Sequence, residues 1–282
     1  MGLLTRTPAL IACAVTIAVS MGLLFAVGAP QAAAPAVTGT ALAVTGLLLR
    51  PARPGPRPAA AGYGTVELER ADERAAARLC AAAFHHDPAM EAVVSKGRRR
   101  PAVLTAWFAG LFRVARRFGK RPVLAMFADE QLVAVRVAYE PGRYPPPGWS
   151  ALLVAGVPLR GGLRVGWRAI RWMIAREHHH PTEPHIYLET LATAHAHQGR
   201  GVGSSLLHDL CAEADRRGLP IILHTNAVAN LAFYGRFGFV VFREARLPIG
   251  AQEWTLRRSP QPTSQDRPHG TEQTRFWTLN WT

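Results

Sequence analysis

The stretch Gln198-Gly199-Arg200-Gly201-Val202-Gly203 decides how this sequence is interpreted. It stands between an apolar, strand-like run over residues 185–193 and a helix-like run over residues 204–217. A glycine-rich turn at the start of a helix presents unpaired backbone N–H groups, and such groups bind phosphate. Gly201 and Gly203 carry no Cβ, so a pyrophosphate can come close to the backbone. The turn therefore predicts an anion site.

The same turn lacks the features of two common nucleotide-binding motifs. No Gly-Lys-Ser/Thr ends it, which excludes a Walker A loop. It comes late in the chain and no acidic residue ends the next strand, which argues against a dinucleotide-binding fingerprint. A purely steric explanation, in which the glycines only allow a tight turn, stays open.

Residues 63–258 have the pattern of one α/β or α+β domain. Alternating or continuous apolar runs predict strands at residues 65–69, 123–127, 132–139, 185–193, 221–225, 239–242 and 253–256. Helical spacing predicts helices at residues 75–84, 101–118, 204–217 and 226–237, and in part of 149–174. Asp72 and Asn226 are the expected N-caps of the first and last of these helices. This order of elements predicts a mixed sheet flanked by helices.

The N-terminal region is apolar, and residues 7–49 contain no charged side chain. The run Ala9–Gly28 is long enough to cross a bilayer as a helix, and a Pro/Arg-rich linker begins at Arg50. Three interpretations stay open: a helical hairpin that anchors the domain to the inner face of the cell membrane, with the domain in the cytoplasm; a cleaved signal peptide; or an extension outside the working protein. The predicted divisions are thus 1–62, 63–258 and a polar, disordered tail at 259–282.

Charge and metal-ligand patterns suggest neither nucleic acid nor metal. The formal net charge is +14, but lysine occurs only at Lys96 and Lys120, and no nucleic-acid recognition motif accompanies the arginines. The three cysteines are far apart and form no disulfide or zinc pattern. The histidines at 178–180 and 185 have no carboxylate or cysteine at a recognisable ligand spacing, so we expect no metal.

Two further positions can supply proton-transfer chemistry. Asn230 and Tyr234 are spaced i, i+4 and share one face of the last helix. A tyrosine suits a general acid for a thiolate of similar basicity, although a core tyrosine is the alternative. Glu189 lies mid-strand, and strict alternation places it on the same side as Leu191 and Thr193. It can take a proton from an amine, or it can be a salt-bridged strand residue.

Together these blocks resemble the GNAT (Gcn5-related) N-acetyltransferases. Residues 198–203 match the family signature Gln/Arg-x-x-Gly-x-Gly/Ala, and residues 188–193 look like the strand before it. Residues 230–239 look like the Asn-x-x-x-Tyr…Gly-Phe block of the family. One departure is the loop at residues 194–197, Ala-His-Ala-His, where family members often carry a proline.

The resemblance implies a mostly antiparallel sheet with two splayed parallel strands that hold acetyl-CoA. It implies that Asn230 contacts acetyl-CoA, that Tyr234 protonates the departing thiolate and that Glu189 is the candidate base. The other implied cofactor-binding residues lie on the strand and the turn: Leu191, Ala192, Thr193, Gln198, Gly199, Arg200, Gly201, Val202, Gly203 and Ser204.

We therefore expect an acetyl-CoA-dependent N-acetyltransferase that transfers the acetyl group directly to an amine. A small-molecule acceptor is preferred because no acidic groove for a basic peptide is evident, and residues 85–100 and 141–184 are expected to line its site. Three alternatives stay open: an acyl-CoA sensor without activity, a membrane-tethered module associated through residues 9–49, and a protein or peptide N-acetyltransferase. The sequence does not indicate an oligomeric state.

Overall fold

The computed structural model describes residues 63–178 and 180–262, apart from the side chain of Trp149. The predictions for residues 1–62, whether anchor, signal peptide or extension, fall outside the described residues, as does the predicted tail from residue 263 onward. Among the helices of residues 63–178 and 180–262, none has both the length and the hydropathy needed to span a bilayer.

The described residues form one seven-stranded sheet with helices on both faces. The strands are β1 Gly64–Glu67, β2 Leu124–Ala128, β3 Gln131–Tyr139, β4 Ile186–Thr193, β5 Ile221–Thr225, β6 Val240–Arg246 and β7 Gln252–Arg258. The α-helices are α1 Glu73–Ala83, α2 Pro88–Val93, α3 Arg100–Phe118, α4 Gly156–Gly161, α5 Leu163–His178, α6 Val202–Arg216 and α7 Ala229–Gly235. Short 3₁₀ helices occupy Gly148–Val154 and His195–His197.

The strand order is β1-β2-β3-β4-β5-β7-β6, and the sheet is mostly antiparallel, as expected. The pair β4–β5 is parallel, and α6 provides the crossover that a parallel pair requires. The β2–β3 hairpin turns at Asp129 and Glu130, whose φ angles are 45° and 63°. Two consecutive left-handed residues give a turn whose twist matches that of the paired strands. The two strands predicted on either side of this turn are present and paired.

Two local predictions differ from the structure. The sequence pattern predicts no helix at residues 85–100, but the Asp87 carboxylate accepts hydrogen bonds from the N–H groups of Ala89 and Met90, both at 3.0 Å, and caps α2. The prediction that Asn226 caps α7 is wrong, because this helix begins at Ala229. Asn226 is buried, and its Nδ2 instead donates to the Gln252 carbonyl at 2.7 Å, which ties the end of β5 to β7.

The core lies on both faces of the sheet. Helices α1, α3 and α5 cover one face, and α6 and α7 cover the other. The apolar stripe predicted for α6 is buried and packs on the sheet: Leu206, Leu207, Leu210, Cys211 and Ala214. Burial raises the pKa of the Cys211 thiol to about 11, so this cysteine is a core residue and is not a reactive thiolate at neutral pH.

Candidate active site

The sheet opens between its two parallel strands. β4 and β5 pair over three positions, Ile186 with Ile221, Tyr187 with Ile222 and Leu188 with Leu223. Beyond Leu188 the strands diverge, although β4 continues to Thr193. Backbone groups along this half of β4 are then available to a ligand that runs beside the strand, in the manner of β-strand addition. The opening predicted from the family resemblance is present.

A β-bulge at Glu189 changes which side chains face this opening. Val137 of β3 pairs with Thr190 and Ala138 pairs with Leu188, so Glu189 has no partner in the register. A bulge adds one residue and breaks the alternation of faces. Leu191 packs with the α6 side of the sheet, whereas Glu189 faces Arg176 of α5 on the other side. The expectation that Glu189 shares a side with Leu191 and Thr193 is therefore wrong.

The glycine-rich turn forms the N-terminus of α6. Gly199 and Gly201 have φ angles of +74° and +82°, a region that side chains with a Cβ rarely adopt. Gly201 is the N-cap, and the first helical hydrogen bond runs from the Ser205 N–H to its carbonyl at 2.9 Å. The N–H groups of residues 202–204 therefore precede the helical ladder and point out of the helix end, where the helix dipole also favours an anion.

Two contacts fix this turn against the end of β4. A Cβ added to Gly203 would lie 3.0 Å from Thr193 Oγ1, so glycine allows the helix to approach the strand closely. Gln198 Nε2 donates to the Thr193 carbonyl at 3.2 Å and closes the intervening loop. The turn and the second half of β4 are thus joined as one unit.

A cleft of about 450 Å³ lies along this unit. Its walls include most of the predicted cofactor-binding residues: Leu191, Thr193, Gln198, Gly199, Gly201, Val202, Gly203, Ser204 and Asn230, together with Tyr234. Three predicted residues lie elsewhere. Ala192 is buried in the core of the opposite face, Arg200 is exposed outside the cleft, and Glu189 faces α5.

The cleft also contains three residues that the sequence patterns did not single out: His197, Phe233 and Arg236. The Arg236 guanidinium stands 5.4 Å from the centre of the Phe233 ring, in a cation–π arrangement. A cation at this wall suits a phosphate-bearing ligand. Its position two residues after Tyr234, at the C-cap of α7, was the signal that could have identified it.

Tyr234 and Asn230 reach the cleft from α7. Tyr234 is 9% exposed and packs edge-on against Phe239. Burial raises the pKa of its hydroxyl above the usual value, so Tyr234 is a protonated donor at neutral pH. Asn230 Nδ2 donates to Thr225 Oγ1 at 2.9 Å, which holds the amide at the end of β5.

Behind the opening, on the α5 side, two buried carboxylates share one guanidinium. Arg176 Nη1 lies 3.6 Å from Glu189 Oε1, and Arg176 Nε lies 3.7 Å from Glu253 Oε2. The guanidinium also stands over the rings of Trp172 and Tyr187, at 5.5 and 5.9 Å from their centres. Burial raises the pKa of both carboxyl groups, and Arg176 opposes that rise. A carboxylate with a raised pKa is a better proton acceptor than an ordinary glutamate.

The neighbouring histidines form hydrogen bonds with the protein. His185 Nδ1 and the Glu183 carbonyl oxygen are 2.6 Å apart, so this nitrogen is the donor and His185 Nε2 accepts from His180 Nε2 at 3.0 Å. Within residues 63–178 and 180–262, no group of three or more potential ligands has the arrangement of a metal site.

Comparison with known proteins finds a family whose sequence model matches the region of the cleft. The sequence model of the acetyltransferase (GNAT) family matches residues 161–239, which include β4, the glycine-rich turn and α7. Residues 161–239 therefore match a GNAT acetyltransferase domain. The match supports acyltransferase activity, because in this family acetyl-CoA is the co-substrate and an amine is the acceptor.

A solved structure with a TM-score above 0.5 has the same fold as the described residues. A protein from Corynebacterium glutamicum, described as histone acetyltransferase HPA2 and related acetyltransferase, is 20% identical, has a TM-score of 0.52 and is matched over 72% of this chain and 98% of its own. The ribosomal-protein-S18-alanine N-acetyltransferase from Escherichia coli is 16% identical, with a TM-score of 0.39 and coverage of 73% and 99%. A putative GNAT acetyltransferase from Desulfovibrio desulfuricans is 12% identical, with a TM-score of 0.44 and coverage of 70% and 99%.

The cleft fits the co-substrate of the GNAT family. The unpaired N–H groups at the start of α6 and the exposed Arg236 suit a pyrophosphate. The edge of β4 that has no β5 partner beyond Leu188 suits an extended chain with amide groups, such as pantetheine. The glycines at 199 and 201 leave the cleft wall free of side chains.

Proposed function

We propose that the protein is an N-acetyltransferase that transfers an acetyl group from acetyl-CoA directly to a small-molecule amine. The observation that carries this proposal is the placement of Tyr234 and Glu189 on opposite sides of the sheet opening. Tyr234 lines the cleft on the α6 side, and Glu189 faces α5. An acid and a base on either side of one opening are what an amine-to-thioester transfer requires.

In this proposal acetyl-CoA supplies an activated acyl group as a thioester. The N–H groups of residues 202–204 and Arg236 bind its phosphates, and the edge of β4 that β5 leaves open orients its extended arm. Tyr234, which is protonated at neutral pH, donates its hydroxyl proton to the departing thiolate sulfur. The reaction then needs no covalent intermediate on the protein.

Glu189 is the proposed base. Its carboxylate accepts the proton of the acceptor amine, directly or through a water molecule. Because burial raises the pKa of Glu189, the acidic limb of the rate profile follows protonation of this carboxyl group: activity falls as the pH falls through its pKa. Arg176 limits the rise in pKa, and Glu253 shares that guanidinium.

The burial of Glu189 supports a small acceptor. Its side chain is 10% exposed, and α5 covers this side of the sheet. An amine on a slender molecule fits such a place better than a side chain of a folded protein. Two buried carboxylates against one guanidinium also leave a net negative charge, which favours a cationic amine.

The test is an assay of thiol release by the full-length protein with acetyl-CoA and a panel of polyamines, amino sugars, amino acids and short peptides. We expect turnover with a small amine, and a loss of at least about a hundredfold in kcat for Tyr234→Phe and for Glu189→Gln. Acetyl-CoA affinity, measured by calorimetry, should change little in either variant. The control is Thr105→Val, which removes a hydroxyl on α3 that bonds to the Pro101 carbonyl and does not line the cleft.

Three outcomes would contradict the proposal or one of its parts. Tight acetyl-CoA binding without thiol release for any amine would favour the acyl-CoA sensor. Efficient turnover with peptides alone would favour a protein or peptide N-acetyltransferase. Turnover that Tyr234→Phe leaves unchanged would remove the acid role from Tyr234.

A further inference from the structure

The segment between β3 and β4 carries large apolar side chains that are exposed to solvent and are not packed in the core. Leu152, Leu159, Leu163 and Trp167 are 51–56% exposed. Helix α5 already buries its other face, with Val165, Ala169 and Trp172 in the core. Leu163 and Trp167 are one helical turn apart and both are exposed, so they lie together on the solvent-facing side of α5, its outward face.

A row of arginines runs beside these apolar side chains. Arg164, Arg168 and Arg171 are spaced i, i+4, i+7 on α5, next to the strip that starts at Leu163 and Trp167. Residues 141–176 contain no aspartate or glutamate. Arg168 Nη1 donates to Ser95 Oγ at 3.3 Å, whereas Arg164 and Arg171 are exposed. Among the described residues, Arg164 and Arg171 form no ion pair within 4.0 Å.

We propose that this outward face of α4 and α5 binds the surface of a bilayer that contains anionic phospholipids. A helix that lies in the membrane interface combines Trp and Leu on one strip with arginines on the adjoining strip. The apolar strip enters the boundary between headgroups and acyl chains, and the arginine row meets the phosphates. The proposal concerns a peripheral contact and does not depend on the reaction or on residues 1–62.

Charge complementarity selects the lipid surface over a second copy of this chain. The same face on a second copy would bring arginine rows together, because no acidic side chain is available on residues 141–176 to oppose them. An anionic lipid surface supplies phosphates along the whole length of the row. A single Trp and several Leu without such a row would not distinguish the two occupants.

The contact would place the membrane close to the acceptor side of the enzyme. The outward face of α5 carries Trp167, and its inward face carries Arg176 beside Glu189. One helix diameter, about 10 Å, separates the two faces. Membrane binding would therefore hold the acceptor side near the bilayer surface.

The test is flotation of the full-length protein with phosphatidylcholine vesicles and with mixed phosphatidylcholine–phosphatidylglycerol vesicles. The triple variant R164Q/R168Q/R171Q should bind the mixed vesicles roughly a hundredfold more weakly, because each arginine near an anionic surface contributes about a factor of five. The control is R70Q/R74Q/R78Q, which removes the same charge from exposed positions before and on α1 and should lose less than about tenfold. Equal losses in the two triple variants would overturn the proposal.

A second measurement locates the contact even if residues 1–62 bind vesicles themselves. Lipids brominated in the acyl chain quench a tryptophan that has entered the interface. We expect the protein to lose more emission than Trp167→Phe, and the difference to disappear with phosphatidylcholine alone. Identical quenching of the two proteins would refute insertion of Trp167. A dimer in solution that Trp167→Ser abolishes would show instead that a second copy covers this face.

Discussion

Replacing Gly201 by alanine tests the structure of the anion-binding turn directly. Gly201 has φ +82°, and a Cβ added there would meet nothing within 4 Å. The substitution therefore introduces backbone strain without a steric clash. Holding an L-residue in the left-handed region costs roughly 1–2 kcal/mol.

This strain can lower either the stability of the protein or its affinity for acetyl-CoA, and the two losses are linked. If the turn keeps its conformation, the free energy of unfolding falls by about 1–2 kcal/mol and acetyl-CoA affinity is unchanged. If the turn relaxes, the N–H groups of residues 202–204 move out of position, stability is retained, and acetyl-CoA affinity falls by about five- to thirtyfold. The sum of the two losses, measured by denaturant unfolding and by calorimetry, should be about 1–2 kcal/mol.

The matched control is Gly235→Ala. Gly235 ends α7, has no positive φ and also has nothing within 4 Å of an added Cβ. Alanine at this helical position should raise stability by up to about 1 kcal/mol. Unchanged stability together with unchanged affinity in Gly201→Ala would refute the view that the left-handed turn holds the N–H groups in place.

Two further predictions concern stability. Asp215→Ala should lower the free energy of unfolding by about 3 kcal/mol, because it leaves the 6%-exposed Arg258 without the carboxylate that accepts its two hydrogen bonds at 2.6 and 2.8 Å. Glu183→Gln, at the exposed pair with Arg257, should lower it by less than about 1 kcal/mol. Equal losses in the two variants, measured by denaturant unfolding, would contradict this reasoning. Burial lowers the pKa of His180 from 6.5 to about 3. Below pH 6.5 the unfolded chain therefore binds a proton that the folded protein does not bind. The free energy of unfolding falls as the pH drops from 6.5 towards 3. Between pH 7.5 and 4.5 protonation of this histidine in the unfolded chain should lower the free energy of unfolding by roughly 3 kcal/mol. His180→Gln should lack this loss. If the free energy of unfolding of the two proteins changes with pH in parallel, His180 is not the cause.

The sequence predicted the sheet well where the signal was local. The β2–β3 hairpin and β5 were readable because a turn or an apolar run of strand length marked each of them. The buried stripe of α6 followed from its helical spacing. The glycine-rich turn was placed correctly because its context, between strand and helix, is itself local.

The missed features depend on tertiary contacts. The bulge at Glu189 arises from the register with β3, which no alternation within β4 reveals, and it moves this carboxylate to the α5 side. Asn226 has the residue type of an N-cap, but a hydrogen bond to β7 occupies its side chain. Arg176 appeared as one of many arginines, and only the fold brings it between Glu189 and Glu253.

The short pairing between β4 and β5 also bears on how the protein assembles. Strands β1–β4 form one antiparallel group and β5–β7 form another, and three residue pairs and the α6 crossover join them. The cleft exists only after the two groups have met, because each contributes one of its walls. A ligand bound in the cleft would contact both groups and would stabilise the folded state in which they are joined. The site of the reaction is thus also the joint at which the two halves of the sheet are held together.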